Sequence, residues 1–254
     1  YDVTSRTLTQ LTSVGTNARS TWSPDGQRLA FLSNLADSAG IYWMPADGSG
    51  TAEPLSPSEQ TGGTTFWTRD GAWIVFDGQL TDGKSDEDVF AIGTGADRSR
   101  QVAAASNAED ETGAVSPDGK WLAYGSDEGG QWQVYVRPFL QPGGRWLVST
   151  GGAGTPLWAS NTELVYADYA TRSMMLATLE LGATVRVVNR SALFSLEPYE
   201  YSENSPAFDV SWDGRRFLLL KQPRGNGDLA NPTVVLHWFE EVQRRMAAQG
   251  GRQP

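Results

Sequence analysis

The stretch VSPDGKWLAYGS at residues 115–126 decides the fold, because variants of it return along the chain. The other clear copies are WSPDGQRLAFLS at 22–33, WTRDGAWIVFDG at 67–78 and VSWDGRRFLLLK at 210–221. A weaker copy, LWASNTELVYAD at 157–168, has Asn161 in place of the aspartate. The matching positions are 25, 70, 118, 161 and 213. A strand-rich repeat of about 40–50 residues predicts the blades of a β-propeller.

Each repeat has the pattern of four short antiparallel strands joined by hairpins. In the first repeat Pro24 presets φ, Asp25 can bond its own backbone and Gly26 accepts a positive φ, so the phrase predicts a tight turn. The strand after this turn covers 28–33, and third and fourth strands follow at 41–44 and 52–55. In later repeats the third strands are expected at 89–92, 133–137, 174–178 and 233–238. The fourth strands are expected at 100–103, 145–149 and 186–188.

Five of the ten tryptophans recur near the repeated turn. Wide indole rings at such positions can fill the wedge between adjacent blades, so packing is their expected role. These residues are Trp22, Trp67, Trp73, Trp121 and Trp158.

The domain prediction is an all-β propeller over residues 1–239 with five recognisable four-stranded blades. The repeats are expected near 13–58, 59–105, 106–152, 153–195 and 196–239. Residues 1–12 are either a closing strand, at 8–12, or the remnant of a blade, so a six-bladed parent is possible. Residues 240–254 are expected to form a short helix and a tail. The chain opens on what reads as the middle of a strand pair, which suggests a piece of a longer protein.

Composition narrows the function classes. The chain has 20 Lys and Arg against 30 Asp and Glu, a formal charge of −10, so nucleic acid is not an expected partner. There is no cysteine, which excludes disulfides and thiolate metal sites. No apolar run is long enough to span a membrane, so we expect no membrane contact by this chain. We expect a monomer that binds a peptide, a protein or a small ligand on a propeller face.

The repeated phrase resembles the repeat of TolB-like six-bladed propellers. The match is good at Asp25, Asp70, Asp118 and Asp213 and poor at Asn161. This resemblance implies the fold, but it implies little about function because such blades occur in many contexts.

Four further phrases are similar to the C-terminal propeller of bacterial transmembrane serine/threonine protein kinases. They are VYVRPF at 134–139, RWLVSTGG at 145–152, DVSWDGRRFLLLK at 209–221 and PTVVLHWFEEVQRR at 232–245. In that family the kinase is cytoplasmic and the propeller lies across the membrane. The resemblance therefore implies an extracytoplasmic sensor or interaction domain. The kinase motifs themselves are absent from this sequence.

Catalysis is not expected. The single histidine, His237, lies in the strand-like segment VVLHWF. The sequence has no Gly-x-Ser-x-Gly motif that could supply a nucleophilic serine for it, so we expect His237 to have a structural role. One histidine also cannot supply a histidine-ligated catalytic metal. We therefore predict no catalytic residue, no cofactor and no metal apart from a weak calcium candidate.

The calcium candidate rests on two acidic loops. Their carboxylates are hard oxygen ligands of the kind that Ca²⁺ takes, although the spacing of a calcium-binding loop is missing. The same loops could bind a cationic peptide or form a solvated rim. The candidate ligands are Asp82, Asp86, Asp88, Glu109 and Asp110.

The other candidate site follows from architecture. First strands line the channel of a propeller, and we expect a ligand to enter at the face where these strands begin. The expected binding residues are Arg19, Thr64, Glu111, Thr155 and Asn204.

Three functions remain open from the sequence. The first is a non-catalytic sensor or binding propeller of a signalling kinase, and the second is a periplasmic interaction scaffold like the TolB-like translocation proteins. The third is the gating propeller of a prolyl oligopeptidase-type peptidase, which requires a hydrolase domain after the propeller.

Overall fold

The computed structural model describes residues 7–35, 39–55, 61–79, 86–197, 199, 208–211 and 213–220, with the backbone alone at 61–65. Within these ranges the chain forms eighteen strands and no helix. The strands make four four-stranded sheets and one two-stranded sheet, all antiparallel. The predicted all-β class with blade-like sheets is confirmed. The predicted C-terminal helix and the strand at 233–238 lie outside the described residues.

The first two sheets, here called blades 1 and 2, hold eight strands in sequence order. Blade 1 consists of β1 (Asn17–Trp22), β2 (Arg28–Ser33), β3 (Gly40–Pro45) and β4 (Glu53–Pro54). Blade 2 consists of β5 (Thr61–Trp67), β6 (Trp73–Gln79), β7 (Glu87–Gly93) and β8 (Arg100–Ala104).

Blades 3 and 4 repeat this order, and blade 5 is described as a hairpin. Blade 3 consists of β9 (Asp110–Val115), β10 (Trp121–Ser126), β11 (Gln133–Pro138) and β12 (Trp146–Leu147). Blade 4 consists of β13 (Ala153–Trp158), β14 (Glu163–Asp168), β15 (Ser173–Leu181) and β16 (Val185–Ser195). Blade 5 consists of β17 (Phe208–Val210) and β18 (Phe217–Leu219).

Two strand predictions need correction. Residues 8–12 form no strand, and Thr7, just before them, makes an isolated bridge. The outer strand of blade 4 was expected at 186–188, but β16 has 11 residues. It pairs with β15 along its length through two register shifts, so the ladder continues well beyond the short predicted segment.

The repeated phrase forms the same kind of turn in each clear copy, and the hydrogen bonds of this turn explain why its residue types recur. In blade 3 the Ser116 hydroxyl lies 2.6 Å from Asp118 Oδ1 and accepts a bond from the Trp121 backbone amide at 3.0 Å. Gly119 follows with φ of 74°, a conformation in which a side chain is strained. Ser or Thr two residues before the aspartate is therefore part of the motif. The same pairs occur as Ser23–Asp25, Thr68–Asp70 and Ser211–Asp213.

The hydrophobic core lies between adjacent blades. Between blades 1 and 2, Trp67 stacks on Trp43 with ring centroids 6.2 Å apart. Between blades 3 and 4, Trp158 Nε1 donates to the Ala114 carbonyl at 3.1 Å. These two rings are 5% and 6% exposed, as expected for residues that fill the wedge between blades.

The other three tryptophans behave differently. Trp73 and Trp121 are half-buried and make edge contacts within or beside the inter-blade cores, with Phe139 and Trp146 respectively. Trp22 is 55% exposed, so its expected role in packing is wrong. Trp67 and Trp158 each pack against the blade that precedes their own in the chain. Trp22 lies in blade 1, and the described residues include no blade that precedes it in the chain.

The first strands carry a recurring β-bulge. The register of each of the four first strands β1, β5, β9 and β13 shifts against its neighbour near the middle. Three residues beside these shifts have positive φ, namely Arg19 (55°), Thr112 (56°) and Thr155 (49°). Positive φ is unusual for a branched side chain such as threonine, and a bulge changes the direction in which neighbouring side chains point.

Within the described ranges, the chain contains no helix of the length and apolar character needed to cross a bilayer.

Candidate binding sites of the central channel

The first strands of all five blades meet around one cavity of about 440 Å³. In blades 1 to 4 the lining residues lie at or just beyond the carboxyl ends of these strands, on the face that carries the repeated turns. A cavity of this size can take a small ligand or one or two side chains of a partner. We call it the aromatic end of the channel, and its apolar lining residues are Trp22, Phe66, Trp67, Val115, Pro117, Leu157, Trp158, Phe208 and Val210.

The tryptophans of the aromatic end differ in hydrogen bonding and exposure. Trp67 Nε1 donates to the Gly71 carbonyl at 3.1 Å, and Trp158 is held by Ala114. Trp22 instead presents more than half of its surface to solvent on the same cavity. The cavity therefore combines buried aromatic walls with one exposed indole. Its ionisable lining residues are Arg69 and Asp209, and burial lowers the pKa of the Arg69 guanidinium.

An open groove of about 550 Å³ lies beside this cavity, between blades 1 and 2. Trp67 contributes to both, so the groove and the aromatic end share a wall. In the groove the guanidinium carbons of Arg28 and Arg98 lie 4.2 and 4.9 Å from the centroid of the Trp43 ring. Such cation–π contacts fix both arginines over the inter-blade tryptophan.

The opposite end of the inner strands is acidic. Asp77 lies two residues before the end of the second strand of blade 2, and Glu87 begins the third. Glu109 directly precedes the first strand of blade 3, and Glu111 is its second residue. In an antiparallel blade these positions lie on the same face. We call these four residues the acidic cluster; Asp77 and Glu111 are buried, and Glu87 and Glu109 are half-buried.

The carboxyls of the acidic cluster influence one another electrostatically. Burial, followed by the charges of Asp77, Glu87 and Glu109, raises the pKa of Glu111 from 4.5 to about 8. Burial and two of the same charges also raise the pKa of Glu87. The Arg19 guanidinium acts in the opposite direction on both groups.

No protein-family model and no curated protein matches the chain. Among solved structures, a putative TolB from Agrobacterium tumefaciens gives a TM-score of 0.55 at 17% identity, covering 70% of this chain and 68% of that protein. TolB from Acinetobacter baumannii gives a TM-score of 0.61 at 16% identity, covering 84% of this chain and 50% of that one. The fold is a TolB-like β-propeller.

Enzymes share this fold as well. A puromycin-hydrolyzing peptidase from Mycobacterium tuberculosis matches the propeller with a TM-score of 0.52 at 16% identity, over 76% of this chain and 32% of that one. At such identities the likeness shows the fold alone. The TolB-like propeller spans about half the length of the Acinetobacter protein.

The predicted channel residues fall into three groups. Arg19 and Glu111 come together, because their charges interact at the acidic end of the propeller. Thr155 is buried in β13, and its hydroxyl has no hydrogen-bond partner among the described residues. Thr64 is described by its backbone in β5 alone, and Asn204 lies outside the described residues. None of the five lines the aromatic cavity.

The calcium candidates separate into two environments. Glu109 Oε2 accepts a hydrogen bond from the Glu87 amide at 2.7 Å, which holds it in the acidic cluster. Asp110 lies instead beside Asp88, and burial raises its pKa to about 6 although the Ser126 and Ser106 hydroxyls oppose this.

Asp86 is half-buried, and Asp82 lies outside the described residues, as does His237. In the described part of the chain, no three acidic or histidine side chains are arranged to hold a metal ion.

The aromatic end was missed in the sequence because its residues were interpreted only as packing. A signal was present: Trp22, Trp67 and Trp158 each lie three residues before the turn position at 25, 70 and 161. Equivalent positions in a cyclic repeat occupy equivalent places around the axis, so three aromatic rings were placed at one end of the channel.

Proposed function

We propose that this TolB-like propeller is a non-catalytic binding domain that takes an extended segment of a partner protein at its aromatic end. The observation that carries the proposal is the convergence of five first strands on a cavity with aromatic and polar walls and one exposed indole. An exposed tryptophan at the rim of a preformed pocket with aromatic walls is typical of a protein-binding surface.

The shape of the surface favours an extended occupant. The groove between blades 1 and 2 leads to the cavity through the shared residue Trp67. A peptide backbone can lie in the groove while one apolar side chain enters the cavity. Arg28 and Arg98 on the groove can contact its polar groups, since guanidinium groups are strong hydrogen-bond donors.

The biological context of this proposal comes from the sequence. Phrases such as VYVRPF at 134–139 resemble the propellers of membrane-anchored bacterial serine/threonine kinases. We therefore propose that the partner is sensed outside the cytoplasm and that the propeller passes the signal to a kinase. A periplasmic scaffold with the same fold is the alternative, and a peptidase gate is a weaker one.

The binding proposal is tested by selecting phage-displayed 12-residue peptides on the intact chain. Selected peptides are expected to share an aromatic or aliphatic anchor, and Trp22→Ala should weaken them about tenfold because the rim indole is lost. Leu147→Ala is the matched control, since Leu147 is an exposed apolar residue on the outer strand of blade 3. Equal binding by the wild type and Trp22→Ala would contradict the proposed site.

The kinase context is tested by the complete reading frame. A kinase domain followed by one membrane helix upstream supports the sensor role. A small α/β domain upstream supports the scaffold, and a hydrolase domain with Gly-x-Ser-x-Gly downstream supports the peptidase gate.

A further inference from the structure

The groove between blades 1 and 2 carries two arginines that share one aromatic ring. Arg28 begins β2 of blade 1, and Arg98 lies in the connection between β7 and β8 of blade 2. Their guanidinium carbons lie 4.2 and 4.9 Å from the centroid of the Trp43 ring. Trp43 is 7% exposed and belongs to the core between the two blades, whereas both arginines are exposed. The arginine pair is therefore assembled by the packing of the two blades.

No carboxylate of the described residues neutralises this pair. Within the described ranges neither arginine forms an ion pair, and the Arg28 guanidinium donates no hydrogen bond. Arg98 donates one long hydrogen bond, to the Pro54 carbonyl at 3.4 Å. A guanidinium that stacks on an aromatic ring keeps the N–H donors at its edge available. The pair therefore presents two positive charges and several free donors to the groove.

The turn carboxylates that line the same groove are engaged within their own turns. Asp25 Oδ1 accepts hydrogen bonds from the Ser23 hydroxyl at 2.6 Å and from the Gln27 amide at 3.0 Å. These two bonds are the main causes that hold the pKa of Asp25 below its ordinary value, and the charge of Arg28 contributes least. Asp70 is held in the same way in the equivalent turn of blade 2.

The charges around the groove favour a ligand with a single negative charge. Asp25, Asp70 and the exposed Glu53 all line the groove. They would repel a doubly charged phosphate more strongly than a singly charged carboxylate. The two oxygens of a carboxylate also match the fork of donors on a guanidinium. A carboxylate is therefore the ligand that the arginine pair fits best.

The position of the pair relative to the aromatic end sets a spacing. Trp67 lines both the cavity and the groove, and its ring centroid lies 6.2 Å from that of Trp43. The guanidinium carbons lie a further 4.9 Å from the Trp43 centroid at most. An extended chain rises about 3.3 Å per residue, so these separations correspond to about two to four residues.

We propose that Arg28 and Arg98 bind the side-chain carboxylate of an aspartate or glutamate that lies two to four positions from the apolar anchor of the partner segment. This inference rests on the proposed function and adds a second determinant to the sequence of the partner. The arginines donate to the carboxylate, and Trp43 fixes the position of both guanidinium groups.

The test repeats the selection of phage-displayed 12-residue peptides on the wild type and on the double variant Arg28→Gln/Arg98→Gln. Peptides fused to the phage through their C-terminus have no free α-carboxylate there, so an acidic residue that is selected acts through its side chain. Wild-type peptides are expected to carry Asp or Glu two to four positions from the anchor. Peptides selected on the double variant should keep the anchor without this acidic residue.

Calorimetric titration of one selected peptide measures the size of the effect. Replacing its acidic residue by the matching amide should weaken binding to the wild type about tenfold, since a charge-assisted bidentate contact is lost. The same replacement should have little effect on binding to the double variant. Arg28→Lys/Arg98→Lys should recover only part of the affinity, because an ammonium group keeps the charge without the planar fork.

Arg186→Gln is the matched control, because it removes the same charge from an exposed residue of blade 4. Thermal unfolding should show that the double variant remains folded, since both arginines are exposed. Should the double variant unfold, Arg98→Gln in the blade 2 connection alone should still weaken binding. An equal loss of affinity in Arg186→Gln would show that only net charge matters, and would overturn the inference.

The two proposals fail separately. Anchored peptides that depend on Trp22 but show no acidic preference would contradict the arginine site and leave the aromatic site standing. Acidic peptides that depend on the arginines but bind Trp22→Ala with full affinity would contradict the aromatic end as the place of the anchor. Peptides that respond to neither set of substitutions would contradict both.

Discussion

The two ends of the channel are built from the same inner strands but have opposite chemistry. On β9, Glu111 belongs to the acidic cluster, and Val115, four residues later, lines the aromatic cavity. Four strand residues span about 13 Å. The bulge at Thr112 lies between them. One short strand thus presents a charged group at one face and an apolar group at the other, and a bulge separates the two.

The contrast between the two ends shows which positions of the repeat stay the same and which vary between blades. The turn face is determined by local hydrogen bonds within each phrase, so it recurs with little change in blades 1, 2, 3 and 5. The acidic face is formed by residues that no two repeats share. Binding chemistry can therefore vary there without loss of the blade fold.

The largest expected change in stability distinguishes two tryptophans at equivalent positions of the aromatic end, Trp158 and Trp22. Trp158→Ala should lower the free energy of unfolding by about 3–5 kcal/mol, because it leaves a cavity between blades and removes the bond to Ala114. Trp22→Ala should cost less than about 1 kcal/mol, since its ring is mostly exposed. Denaturant unfolding of both variants measures this. Similar losses would mean that Trp22 is a packing residue after all.

At the acidic end a substitution should increase the free energy of unfolding, whereas the tryptophan substitutions lower it. Folding raises the pKa of Glu111 from 4.5 to about 8, so the folded state holds the proton more tightly than the unfolded state does. The free energy of unfolding should therefore fall as the pH rises from about 4.5 to about 8. Glu111→Gln removes this dependence and should stabilise the protein at pH 8.5 by on the order of 3 kcal/mol. The measurement is chemical unfolding of both proteins at pH 4.5, 6.5 and 8.5.

Glu180→Gln serves as the control in these unfolding experiments, since its carboxylate forms an exposed pair with Arg186. A wild-type curve that is flat between pH 4.5 and 8 would show that Glu111 is not in a desolvated acidic environment.

Asp110 should cause a smaller change in the free energy of unfolding, and at lower pH than Glu111. Burial raises its pKa from 3.8 to about 6, so stability should fall between these pH values for the same reason as at Glu111. Asp110→Asn should gain on the order of 2 kcal/mol at pH 7, and nothing at pH 3.5. A gain of the same size at both pH values would point to improved packing instead of a lost charge.

The smallest expected effect tests the turns beside the aromatic end. Gly26 has φ of 70° with no atom near the position of a Cβ, so Gly26→Ala should cost about 1 kcal/mol from backbone strain alone. Gly113 is the contrasting site on β9, because a Cβ there would lie 2.5 Å from Val89 Cγ1. Gly113→Ala should therefore cost more than Gly26→Ala. The reverse order in thermal unfolding would show that blades 2 and 3 are packed less closely.

Sequence reasoning was most successful where the interactions are local. The Asp-Gly turns, the strand that follows each turn and the third strands of blades 1 to 4 all depend on residues within a few positions of one another, and the structure contains them. Blade 4 shows the limit of this approach. Its turn lacks the aspartate, and Ser160 instead accepts a hydrogen bond from the Thr162 amide at 3.3 Å.

Two of the residues named from the sequence come together in the structure. Arg19 and Glu111 were chosen from their position on the first strands, and their charges do interact. Asp77 and Glu87 were not chosen, since their role depends on the register of β6 with β7 and on the contact of blade 2 with blade 3. We expect a ligand to enter at the face where the first strands begin, whereas the aromatic cavity lies where they end.

By itself the sequence determined the repeat, its period and the strand order within a blade, because these follow from hydrogen bonds and alternation within about 45 residues. Only the tertiary structure decided which equivalent residues differ in exposure. Trp22 and Trp158 hold the same place in their repeats, but burial depends on the blade that packs against each ring. The convergence of Asp77, Glu87, Glu109 and Glu111 is likewise a property of two packed blades, since no local pattern brings carboxyls up to 34 residues apart into one electrostatic environment.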